Sequence, residues 1–235
     1  MGIMAKLVVF DVDGTLLDSN RLDQISYIQS VKEELGVDIG RDWRMYENIT
    51  DRGIFTEVWV KKFSREPTRK DIERHESTFL RLLKENCARE GDSWREIPGA
   101  KEAIRRLGSD SEWDVGIATG NYRRVALFKL SKLNIGENSF PLVTSSEFIS
   151  REEIIRNCIE ISKKWYNRKN FERIVSVGDG VWDVLAANEL NIPFIRIGEK
   201  SKLDEFSNCL LLRDFRDYRL FLEYLEKAEP PVLTR

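Results

Sequence analysis

Residues Lys6–Ser19 read KLVVFDVDGTLLDS. After one lysine the stretch runs as an unbroken apolar segment to Phe10. Continuous rather than alternating hydrophobicity is the mark of a strand buried on both faces, as in a parallel sheet. Asp11 and Asp13 come next, and Gly14 lets the chain turn sharply away. Two acids at the mouth of a buried strand repel each other and lose hydration, so the position calls for a positive partner.

Outward from this stretch the periodicity changes. Leu22, Ile25, Ile28, Val31 and Leu35 recur at helical spacing up to Gly36. Ile54, Phe55, Val58, Trp59 and Phe63 predict a second helix. Thr68-x-x-Asp71 has the form of a capping box opening a third, with Ile72, Phe79, Leu83 and Cys87 on its stripe. From Glu96 a turn and short helix lead into alternating strands and helices. The strand candidates are Val115–Thr119, Leu142–Thr144, Ile174–Val177, Phe194–Ile197 and Cys209–Leu212. Ser150-x-x-Glu153 predicts a capped helix running to about Trp165. Strand–helix alternation predicts an α/β fold, a Rossmann-like parallel sheet with helices on both faces. The division expected is a core of residues 1–18 and 96–235 and an inserted all-helical cap of residues 19–95. The end, Glu229-Pro230-Pro231, reads as a frayed terminus.

Ligands of an open parallel sheet gather beyond the C-terminal strand ends. Asp11 and Asp13 lie at such an end, and VGDGVWDV puts Asp179 and Asp183 at another. Four acids converging there point to a cation. Oxygen donors with neither a histidine nor a cysteine cluster suit Mg²⁺. The segment GIATGNYRR ends a third strand with Thr119, Gly120 and Asn121, a hydroxyl and backbone amides at a helix start, which makes an anion seat. Arg151 is the candidate positive group, with Lys163 or Lys164 as alternatives.

DVDGT, IATGN, a basic residue and GDGVWD, in that order, resemble the four motifs of the haloacid dehalogenase superfamily. Within it they are similar to the phosphoglycolate-phosphatase-like branch, whose helical cap follows the first motif. The resemblance spans nearly the whole chain. It implies that Asp11 is a nucleophile forming an aspartyl-phosphate, and that Asp13 is the general acid and base. It implies that the Asp11 side chain, the Asp13 carbonyl and Asp179 hold Mg²⁺ with help from Asp183, and that Thr119, Gly120 and Asn121 grip the phosphoryl group. The branch usually places a lysine where this chain has Arg151, and arginine sits differently from a compact ammonium. The expected activity is Mg²⁺-dependent hydrolysis of a small phosphorylated metabolite. A sugar phosphomutase and a catalytically retired ligand-binding core are the alternatives.

From the insertion, Thr50, Asp51 and Arg52 are candidate substrate contacts, though Thr50 or Asp51 would equally cap the next helix. The hinges of the cap are expected near Leu16–Asn20 and Arg95–Gly99. His75, the only histidine, sits on a charged stretch and reads as an ordinary surface or cap residue. Trp182 reads as helix–sheet core. Lys and Arg number 38 against 40 Asp and Glu, a net charge of −2 that gives no case for nucleic acid or an anionic membrane. Cys87, Cys158 and Cys209 form no metal pattern and read as buried thiols in a reducing, cytoplasmic setting. The sequence says nothing of oligomeric state.

Overall fold

The computed structural model describes residues 5–91, 94–109, 112–199 and 206–234. The strands are β1 (Lys6–Phe10), β2 (Leu17–Asp18), β3 (Arg95–Glu96), β4 (Trp113–Ala118), β5 (Leu142–Val143), β6 (Arg173–Gly178), β7 (Phe194–Ile197), β8 (Phe206–Ser207), β9 (Leu210–Leu212) and β10 (Val232–Leu233). The helices are α1 (Asn20–Leu35), α2 (Asp51–Phe63), α3 (Arg69–Arg89), α4 (Ala100–Leu107), α5 (Arg123–Ser131), α6 (Arg151–Trp165), α7 (Val181–Leu190) and α8 (Tyr218–Lys227), with a 3-10 turn at Trp43–Met45.

Six strands form one sheet in the order β5-β4-β1-β6-β7-β9, every pairing parallel. Burial on both faces explains the continuous apolar runs. Val8 and Phe10 face α4 and α8, in a cluster with Ile104, Leu107, Phe221 and Leu225. Leu7 and Val9 face the other way, with Ile154, Ile155 and Cys158 of α6 and Ala186 of α7. Strand β1 lies at the centre, where the order turns outward in both directions. That is the switch point at which open α/β sheets hold ligands.

Between β2 and β3 the chain is helical. Helices α1, α2 and α3 bury Tyr27, Val31, Phe55, Trp59, Phe79 and Leu83 together. Thr68 and Asp71 form a complete capping box at the start of α3. At α6 only half of that device is present, with Ser150 accepting from the Glu153 amide at 3.2 Å. The two chain passages into and out of the helical segment lie side by side, β2 pairing antiparallel with β3 through Leu17 to Glu96 and Asp18 to Arg95. The helical segment is firmly seated. Its apolar cluster runs on into Tyr122 and Val125, which lead into and begin α5.

Three sequence expectations need correction. The C-terminal end is not frayed, because β10 pairs with β8 and Asn188 donates to the Pro231 carbonyl at 2.7 Å. His75 is an interior residue of the insertion, as one of its two readings had it, and not a surface one. It is fully buried, stacked on Phe55 at 4.0 Å, with its ring nitrogens bonded to Ser30 and Tyr122. Its helix carries charges on other faces, and the tertiary fold turns this face inward. The third concerns Trp182, which lines a cavity. Cys87 and Cys158 are buried and Cys209 half-buried, all as free thiols.

Candidate active site

Register brings the site together. Phe10 is level with Ile117 on one side and with Val177 on the other. Asp11, Thr119 and Asp179, one or two residues further on, therefore leave the sheet at the same rim. Gly14 makes the turn beside them with φ +70, and a Cβ there would lie 2.0 Å from Asp179 Oδ2. Both the left-handed backbone and the close approach demand glycine at that point.

Asp11, Asp179 and Asp183 each offer an oxygen within 4.8 Å of the others. Burial pushes all three carboxyls up. Asp183 reaches about 7, with Asp11 adding repulsion and Arg151 opposing, and Asp179 is well above the usual range. Asp179 Oδ2 accepts from Asn20 at 3.2 Å, whereas its buried Oδ1 has no hydrogen-bond partner. An oxygen-only donor set with an orphaned carboxylate oxygen fits a hard divalent cation such as Mg²⁺.

Arg151 occupies the opposite side of Asp11. Its Nη1 donates to Asp11 Oδ1 at 2.9 Å and to Asp183 Oδ1 at 3.1 Å, and its Nε donates to the Ile49 carbonyl at 3.2 Å. The guanidinium passes so close to the backbone that a Cβ on Gly120 would meet it at 2.7 Å. Lys163 pairs instead with Glu160 at 2.7 Å, and Lys164 is exposed. Among the candidate basic residues, Arg151 alone is bonded to the acidic centre.

The amides that follow Thr119, Gly120 and Asn121, at the start of α5, are taken by side chains. The Tyr122 amide donates to Asp51 Oδ2 at 2.7 Å, the Arg123 amide to Ser146 Oγ at 2.8 Å, and the Arg124 amide to Glu76 Oε1 at 2.9 Å. Two carboxylates of the helical insertion thus sit on this helix N-terminus, where the dipole favours negative charge. The Gly120 carbonyl accepts from the Asp51 amide at 2.8 Å. Thr119 is buried at the end of β4, and its hydroxyl accepts from the Asn121 amide at 3.3 Å.

Thr50 caps α2 by accepting from the Gly53 amide at 3.0 Å and donates to the Ile149 carbonyl at 2.7 Å. Thr50 and Asp51 also line a cavity of about 420 Å³ between insertion and core, whose walls include Asp13, Asn121 and Arg151. Arg52 is not among its lining residues. Its guanidinium donates to the Ser146 carbonyl at 3.3 Å beside a separate groove.

Lys129 was not anticipated. It is fully buried on α5, with Nζ 2.7 Å from Asp13 Oδ1, 2.9 Å from Asn121 Oδ1 and in contact with Asp23. Burial works against its charge, but Asp13, Asp23 and Asp51 outweigh that and raise its pKa. Asp23, half-buried beside Asp13, is pushed up to about 6 by desolvation despite the lysine. Asp13 also accepts from the Ser19 hydroxyl. A local signal existed. Lys129 falls on the stripe of Val125, Ala126, Leu130 and Leu133, where an apolar residue would be the rule.

A parallel α/β core thus carries a metal-competent acidic cluster at its switch point, beside a helical insertion. The family model for haloacid dehalogenase-like hydrolases matches residues 5–191, and the chain belongs to that family. No curated protein matches the sequence. Among solved structures, β-phosphoglucomutase from Clostridium difficile aligns with a TM-score of 0.67 at 18% identity, over 95% of this chain and 98% of that one. CbbY from Rhodobacter sphaeroides, solved in complex with phosphate, gives 0.64 at 17% identity over 91% and 96%. A predicted phosphoglycolate phosphatase from Haemophilus somnus gives 0.59 at 16% over 93% and 98%. At these identities the likeness is one of fold. No helix among the described residues is long and apolar enough to cross a membrane.

Proposed function

We propose that this protein is a Mg²⁺-dependent phosphatase of small phosphate monoesters, working through an aspartyl-phosphate on Asp11. The observation that carries the reading is Asp11 itself. It is a buried carboxylate between an oxygen-only acidic cluster and the Arg151 guanidinium, with a second acid two residues on. Asp11, Asp179 and Asp183 would hold the cation, which when bound neutralises charge on the phosphoryl oxygens.

In the first step an Asp11 oxygen bonds to phosphorus as the ester P–O bond breaks. Asp13, entering protonated, gives its proton to the departing alkoxide. In the second step Asp13, now a carboxylate, takes a proton from water as that water attacks phosphorus. The Asp11–phosphorus bond breaks and inorganic phosphate leaves. Arg151 fixes Asp11 from the side and supplies the positive charge that the branch's lysine provides elsewhere.

A phosphomutase is the second reading, because the fold is shared with β-phosphoglucomutase. It is disfavoured because Arg21, the only basic residue in the first half of α1, turns away to Glu90 and is mostly exposed. The deciding experiment is phosphate release from p-nitrophenyl phosphate. It should require Mg²⁺, stop on chelation and vanish in Asp11→Asn. Isomerisation of a hexose 1-phosphate without phosphate release would replace this reading with the mutase.

A further inference from the structure

The cavity has two ends of different chemistry. Arg151, bonded to Asp11, and Asn121 mark the phosphoryl end. The other end receives the leaving group and is built by Asp23, Gln24 and Tyr27 of α1 together with Asp51 of α2. Asp23 and Gln24 lie four and three residues before Tyr27 and so border its helix face.

The cations near this end are already engaged. Among the described residues the cavity is lined by only two basic side chains, Arg21 and Arg151. Arg21 pairs with Glu90 and is 65% exposed, so it points outward. Arg151 is committed to Asp11, Asp183 and the Ile49 carbonyl. Behind the wall, Lys129 has no exposure. Its ammonium has three hydrogens, and three side chains take them: Asp13, Asp23 and Asn121. It has no donor left for a ligand.

With Asp13 protonated to serve as the acid, Asp23 and Asp51 stand against one ammonium, leaving one negative charge in excess around the leaving group; burial, with Asp23 adding repulsion, pushes the Asp51 carboxyl well up, and a cation bound beside it favours its ionised form. Tyr27 and Trp43 meet edge to face at 5.8 Å in the same wall and add aromatic surface of the kind that attracts cations. A substrate carboxylate placed here would face like charge at short range in a partly dehydrated space.

Resting on the phosphatase reading above, we propose that the substrate is the phosphate ester of a small amine-bearing alcohol, its protonated amine held by Asp23 and Asp51. Esters of hydroxy acids are rejected by the same two groups. Asp23 and Asp51 are therefore the specificity residues of the insertion.

The test is a two-carbon series differing only at the far end: ethanolamine phosphate, ethylene glycol monophosphate and phosphoglycolate, each with Mg²⁺. The expected kcat/KM falls in that order, ethanolamine phosphate exceeding phosphoglycolate by about tenfold or more, the scale of one close charge pair near a protein surface. Asp51→Asn and Asp23→Asn should each narrow that ratio. Phosphoglycolate turned over as well as ethanolamine phosphate, or a ratio unmoved in both variants, overturns the proposal. The same series in a thermal-shift measurement on Asp11→Asn reads the preference without turnover. Greater stabilisation by ethanolamine phosphate upholds the charge assignment, and equal or greater stabilisation by phosphoglycolate overturns it. Loss of turnover on every ester, p-nitrophenyl phosphate included, with that binding preference intact, would remove the phosphatase reading alone.

Discussion

At the scale of single residues the site divides between groups visible in the sequence and one that was hidden. Asp11, Asp13, Asp179 and Asp183 announce themselves because each stands within three residues of an apolar strand end or in its following helical turn, a place where acids are costly. Arg151 was legible from its place at a helix start ahead of Asp179 and from motif order. Bonded to two of those acids, it is expected to lower kcat by on the order of 10²-fold in Arg151→Ala, as loss of a preorganised charge does. Arg151→Lys should recover part of the rate, and steady-state kinetics on p-nitrophenyl phosphate will read both. Lys129 was missed because its partners, Asp13 and Asp23, lie 116 and 106 residues away in the chain. Lys129→Met leaves those half-buried acids without their cation, so a destabilisation of about 3 kcal/mol is expected in urea unfolding. Adding Asp23→Asn should restore part of it. If Lys129→Met unfolds at the wild-type denaturant midpoint, the ammonium does not hold this cluster together.

At the scale of elements, periodicity carried the reading well where each element has its own apolar stripe. The five later strand candidates and the three helices of the insertion are all present, with ends shifted by a few residues. What failed depended on contacts between elements. Pro230-Pro231 looked like a loose end, yet the two residues after it add a short strand beside Phe206–Ser207. The amides of Tyr122 and Arg124 at the start of α5 give their hydrogens to Asp51 and Glu76 of the insertion, which no local pattern announces. A helix whose cap comes from another part of the chain cannot be read locally. Replacing such a cap by alanine costs typically about 1 kcal/mol, and Glu76→Ala should lose roughly that amount. Amide exchange at Arg124 should quicken as its acceptor is removed. An exchange rate equal to that of the unaltered protein would mean that the Glu76 carboxylate does not cap this helix.

At the scale of the whole molecule, the joint between insertion and core decides whether the two unfold together. The apolar cluster of α1, α2 and α3 includes Tyr122 and Val125, so the interior of the insertion is completed by the core. His75 sits at this joint. Ser30 Oγ donates its one hydrogen to the Tyr27 carbonyl at 2.7 Å, which leaves the oxygen to accept. The His75 proton therefore lies on Nε2, 2.9 Å from Ser30, and Nδ1 accepts from the Tyr122 hydroxyl at 3.1 Å. Burial lowers the His75 pKa to about 3 from an ordinary 6.5. A folded value below the unfolded one means that between these pH values the unfolded chain binds a proton the native chain does not. This group therefore weakens the fold progressively as pH falls from 6.5 towards 3, and has no such effect above 6.5. Protonation would also take Nδ1 from Tyr122 as an acceptor and loosen the joint. His75→Gln keeps a donor and an acceptor but does not titrate. Between pH 7.5 and 4.5 the unfolding free energy of the native protein should fall relative to that of His75→Gln by about 2–3 kcal/mol. Urea unfolding at the two pH values measures this difference directly, and it cancels the carboxylates common to both proteins. A difference that stays constant with pH would mean that His75 is not held neutral by the fold. A single transition for α3 and sheet probes in the same experiment is the companion expectation, since the cluster that buries His75 belongs to both parts.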